Sequence, residues 1–158
     1  MRDYRDQATF YRAALLLGLT SGERVVSWAG AILREDPTTL PEIREVSLVP
    51  PGDLTALRAA LQPLTAPRES NAVLRSVIGI AARDLASGRR SMRDTVTVLS
   101  QVRRHLTIPD AMQWAIDTLE GDYMLATAGV TAQLDTVEAR VRAWLEPFQD
   151  VHPIPSVR

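Results

Sequence analysis

The chain predicts an all-α fold: a single-domain bundle of about six or seven helices, with irregular helical-repeat-like packing as a variant. Two observations carry this. Apolar residues recur three and four positions apart in successive segments, the spacing of one helix face. Between those segments stand Pro, Gly and Ser/Thr/Asp cap signals, and no long polar linker. Breaks this short separate helices within a domain, so residues 1–150 are expected to form one helical domain and residues 151–158, with Pro153 and Pro155, a non-helical tail.

Taken in order, Asp3 to Leu19 reads as a first helix with Phe10, Ala13, Ala14 and Leu17 on one face, loosened at Gly18. Thr20-Ser21-Gly22-Glu23 has the form of a capping box opening a second helix that runs to about Glu35. Its stripe is Val25, Ala29, Ile32 and Leu33, with Trp28 at the margin, and Pro37 marks the stop. Residues 40–49 admit two readings: Pro41-Glu42 opens a short helix, or Ile43, Val46 and Leu48 make a nearly strand-like pattern. The short helix is preferred. Pro50-Pro51-Gly52 delivers Asp53 as the cap of a helix carrying Leu54, Leu57 and Leu61.

The next helix, roughly Glu69 to Ser87, is the scaffold of the chain. Val73, Leu74, Val77, Ile78, Ile80, Ala81 and Leu85 cover nearly half its circumference at about 100° per residue, so it should pack against several partners. Asp84 falls inside that arc, where an unpaired carboxylate is costly. Either an arginine from another helix meets it or the helix frays and Asp84 reaches water, the second being preferred. After Gly88, Ser91-Met92-Arg93-Asp94 caps a helix with Met92, Val96, Leu99 and Val102 inward and Arg103, Arg104 and His105 at its end. Cations in a last turn complement the helix dipole. Asp135-Thr136-Val137-Glu138 forms another capping box, opening a last helix with Val137, Val141, Trp144, Leu145 and Phe148 as core candidates and Glu138–Arg142 as an i, i+4 pair.

Composition mostly excludes. A chain of 158 residues with 46% hydrophobic and 23% charged residues is long enough for one ordinary core. Without cysteine there is no disulfide, thiolate site or thiol nucleophile, and without lysine no Schiff base or P-loop lysine. All 18 basic residues are arginine, which with the Ala and Pro content suggests a GC-rich bacterial genome. No apolar run approaches a membrane span, and Asp3 and Asp6 spoil a secretory start, so a cytoplasmic protein without membrane partner is expected. No histidine pair, glycine-rich phosphate loop or calcium loop is present. Asp117 and Glu120, three apart, lack the further ligands a metal centre needs. No metal, cofactor or catalytic residue is therefore expected, and the chain reads as a non-enzyme.

The informative feature is a reversal of charge. Seven arginines stand against Asp84 and Asp94 between Asn71 and His105, whereas Leu106 to Glu138 holds six acids and no basic residue. On the helix that opens at Ile108-Pro109-Asp110, the residues Met112, Ala115, Ile116, Leu119 and Tyr123 form the apolar face. Asp110, Gln113, Asp117 and Glu120 form an acidic stripe almost opposite, with Trp114 beside it on the side of Gly121. Like charges at this spacing repel, and an exposed tryptophan is unusual, so Asp110, Trp114, Asp117, Glu120 and Asp122 are the candidate partner-binding residues. The bland arrangement has Trp114 packed on a neighbour and the acids simply solvated.

The alternative surface is the arginine block Arg83, Arg89, Arg90, Arg93, Arg103 and Arg104, which spans two helices and a tight turn, as a nucleic-acid-binding regulator would use. Few readers of base edges lie between Thr95 and Gln101, and the net charge is −1, so nucleic acid is disfavoured. An equally simple account has the basic and acidic blocks facing each other in an antiparallel helical pair.

Four segments carry a resemblance: Tyr11 to Leu19, Val25 to Ala29, Leu119 to Tyr123 and Val137 to Val141. They resemble uncharacterised small all-helical bacterial proteins, which in turn look like immunity proteins of polymorphic toxin systems. The resemblance implies a non-enzymatic protein that neutralises a toxin by direct binding, and an acidic patch would suit a basic toxin. It transfers no binding residue.

Overall fold

The computed structural model describes residues 3–130, 133–151 and 154. Among them are eight α-helices and no strand. The all-α class therefore holds, and the count exceeds six or seven because residues 41–48 form a full short helix. His152, Pro153 and most of the expected tail lie outside the described residues. Among the described residues no helix is long and apolar enough to cross a membrane. Packing divides the chain into two compact units, Met1–Val73 and Leu74–Arg158.

The first unit holds α1 (Arg5–Leu16), α2 (Gly22–Glu35), α3 (Pro41–Leu48) and α4 (Leu54–Leu61), followed by a 3-10 turn at Gln62–Leu64. Helix α4 packs on α1, α2 and α3, and α2 packs on α3. Leu57 and Leu61 of α4 are fully buried, as are Ile43 and Val46 of α3, while Leu48 is left outside. The three-residue step from Ile43 to Val46 is helical, which settles residues 40–49 against the strand reading. Trp28 is buried and not marginal: its ring lies 5.1 Å from that of Tyr11, and its Nε1 donates to Gln7 Oε1 at 2.8 Å. Burial raises the Tyr11 hydroxyl above its ordinary value, with the Arg24 charge opposing. Buried Thr9 donates to Arg5 O at 2.7 Å and accepts from Ala66 N at 2.9 Å, tying α1 to the chain beyond α4. At the start of α2, Gly22 lies directly against the Pro51 carbonyl, where no Cβ fits.

Helix α5 (Asn71–Ala86) begins at the boundary. The second unit holds the rest of it with α6 (Met92–His105), α7 (Asp110–Thr127), α8 (Leu134–Leu145) and a closing 3-10 turn at Glu146–Phe148. Leu74, Val77, Ile78 and Ala81 of the wide apolar arc of α5 are buried. Helix α7 packs against both α6 and α8. Val137, Val141, Leu145 and Phe148 are buried as expected, and Trp144 is half-buried with its ring 5.1 Å from that of Phe148. Asp84 is met by Arg90, at 3.5 Å, from the turn after α5 and not from another helix. No ion pair joins Glu138 to Arg142 among the described residues.

Candidate functional site

Helix α7 starts where Pro109 stops the preceding chain, in an extended conformation (ψ 148°) with no side-chain cap. Its inward face is apolar at helical spacing: Ile116 and Leu119 are buried, and Met112 and Tyr123 are half-buried. The outward face holds Trp114, Gly121, Leu125 and Ala128, which succeed one another at helical repeats. Trp114 is 72% exposed, so the arrangement in which it packs on a neighbour is not the one adopted. An aromatic side chain of this size left in water at mid-helix is the site's most unusual feature.

The acids of the expected stripe do not form one free surface. Arg103 of α6 reaches across to α7, with Nε 2.7 Å from Asp117 Oδ1 and Nη2 3.3 Å from Glu120 Oε2. The Nε contact is one of charge and not of a well-directed hydrogen bond, since the buried Nε–H meets no acceptor in line. Glu120 also accepts from Ser100 Oγ at 2.8 Å, so it belongs to the α6–α7 interface. Asp122, on the other flank, pairs with Arg140 of α8 at 2.8 Å. Asp110 is exposed, and no ion pair joins it to another described residue. Of the five candidate residues the structure therefore brings Trp114, Asp110 and the half-exposed Asp117 to the outward face. It assigns Glu120 and Asp122 to the two flanks.

Sequence reasoning missed an apolar extension of this site. Met124 is 62% exposed and Val130 68%, with Leu125 and Leu134 also exposed, so the end of α7, the following turn and the start of α8 present apolar side chains outward. The turn is a helix-terminating motif: Val130 N donates to Leu125 O at 3.0 Å and Gly129 N to Ala126 O at 3.2 Å, with Gly129 at φ +72°. Only glycine adopts that backbone freely, and the motif characteristically sets the residue after it against the one five positions earlier, here Val130 near Leu125. Gly129 with its flanking apolar residues was the available signal.

The arginine block is likewise divided. Arg83 Nη1 donates to the carbonyls of Val151 at 2.8 Å and Gln149 at 3.4 Å, and Arg90 and Arg103 serve the ion pairs above. Arg89, whose Nε donates to Ser87 Oγ at 3.1 Å, and Arg93 and Arg104 are exposed. The expected neutralisation of basic by acidic block is real at α6–α7, but one arginine performs it. Among the described residues no group of three or more acids or histidines is placed to hold a metal ion. No family model, curated protein or solved structure matches this chain.

Proposed function

We propose that this chain is a non-enzymatic protein-binding protein that docks its partner on the outward face of α7, with Trp114 as the anchor. The observation that carries this reading is the 72% exposure of Trp114 opposite the buried face of its helix. Exposed apolar residues at the end of α7 and the start of α8 lie towards the other end of the helix, and exposed Asp110 gives the face a negative edge, with Asp117 beside it shared with Arg103. Such an edge steers a basic partner, while the tryptophan supplies the binding free energy on burial. Neutralisation of a basic toxin is the form of this function that the family resemblance implies.

A photo-crosslinking residue placed at position 114 in the native host, with one at exposed Ser27 of α2 as control, identifies the partner. Against that partner Trp114→Ala should raise Kd by about 30-fold, the cost of about 2 kcal/mol typical of a buried aromatic anchor, and leave Tm unchanged. An unchanged Kd overturns the proposal. The nucleic-acid alternative is the weaker one because three of its six arginines are already engaged within the second unit.

A further inference from the structure

Five arginines among the described residues are half-buried: Arg12, Arg58, Arg83, Arg90 and Arg103. A guanidinium withdrawn from water needs a counter-charge or acceptors. Arg83 has two backbone carbonyls, Arg90 has Asp84, and Arg103 has Asp117 and Glu120. No hydrogen bond or ion pair joins Arg12 or Arg58 to another described residue, and the Nε of Arg12 is buried without any acceptor.

Both arginines line the same groove. It lies in the first unit, where α1 packs on α4, and has a volume of about 380 Å³. Arg12 and Leu16, one turn apart, form the α1 wall; Thr55, Arg58, Ala59 and Gln62, at helical spacing, form the wall of α4 and the turn after it. No acid lines it. The groove thus brings two positive charges, a hydroxyl and a carboxamide around a space of small-ligand size, with Leu16 and Ala59 as apolar surface.

We propose that this groove binds a phosphate monoester dianion. Two guanidiniums match a double negative charge and present paired N–H donors to phosphate oxygens, with the Thr55 hydroxyl and Gln62 amide as further donors. A monoanionic carboxylate leaves one of the two charges uncompensated. The site is independent of the α7 surface and stands or falls apart from it.

The arginine Nε–Hε resonances of the labelled full chain report the test directly, titrated at constant ionic strength with inorganic phosphate, phenyl phosphate and acetate. Inorganic phosphate and phenyl phosphate should shift the Arg12 and Arg58 signals saturably, and acetate should not. Tighter binding of phenyl phosphate means that the apolar wall is used by an organic ester; equal binding means that free phosphate is the ligand. Arg58→Gln should weaken the binding at least tenfold, and Arg34→Gln on α2 should leave it unchanged. Arg12→Gln is the second variant, with Arg58→Gln deciding if burial of the Arg12 site prevents folding. Shifts that rise linearly, match those with acetate, or persist in Arg58→Gln overturn the proposal.

Discussion

Arg103 decides what the acids of α7 can offer a partner. Its guanidinium lies against both Asp117 and Glu120, so one positive charge from α6 is shared by two negative charges on that helix and offsets half of them. Glu120, with its side chain 17% exposed, is the more dependent of the two, although the Ser100 hydroxyl stays with it. Replacing Arg103 with Gln should therefore cost about 1 kcal/mol in urea denaturation, the scale of a partly exposed charge pair with one surviving hydrogen bond. The same change unmasks negative charge beside Trp114. A basic partner should then associate several-fold faster at low salt, with the gain vanishing as salt is raised. Equal association rates for the two proteins would show that the acids play no part in docking. That the basic and acidic blocks could meet was legible in the sequence; which arginine meets which acid was not, because that depends on how α6 and α7 are rotated against each other.

At the scale of elements, helix bounds and caps proved readable to within about three residues, and the differences have local causes. Asp53 and Ser91 cap α4 and α6 as expected, accepting from Ala56 N at 3.0 Å and Asp94 N at 3.1 Å. Helix α2 is capped by Ser21 and not by Thr20: Ser21 has the extended conformation that a cap requires and its hydroxyl accepts from Arg24 N. Two adjacent hydroxyl residues are chemically equivalent in a sequence, and the backbone chose between them. Helix α8 starts earlier than the Asp135 box implied, at Leu134, with Gln133 as a cap whose side chain accepts from no backbone N–H of the first turn. These assignments separate four substitutions. Asp53→Ala and Ser91→Ala should each lower stability by about 1 kcal/mol, about 2–4 °C in Tm for a chain of this size, whereas Thr20→Ala and Asp135→Ala should stay within about 0.5 kcal/mol. Periodicity likewise marked faces that are buried, from Leu57 and Leu61 through Leu74, Val77 and Ile78 to Val141 and Leu145, although Leu54, read on the stripe of Leu57 and Leu61, is exposed. It was silent on the groove of Arg12 and Arg58, since those residues sit on helices distant in sequence and neither is unusual on its own helix.

For the molecule as a whole, the three tryptophans offer one readout of whether a docking face exists. Trp28 is buried and hydrogen-bonded to Gln7, Trp144 is half-buried against Phe148, and Trp114 stands in water. An exposed tryptophan ring is a feature that recurs as the anchor of binding surfaces. The fluorescence of the native chain should accordingly contain one red-shifted component open to iodide and two that are shielded to different degrees. Trp114→Phe should remove the open component and shift the remaining emission to the blue, while leaving the unfolding transition in place, because Trp28 and Trp144 report the packed interior. Addition of the crosslinked partner should shield the same component in the unsubstituted protein and change nothing in Trp114→Phe. If iodide quenching of the native chain survives Trp114→Phe undiminished, the ring is not the exposed one, and the outward face of α7 loses its claim as the binding surface.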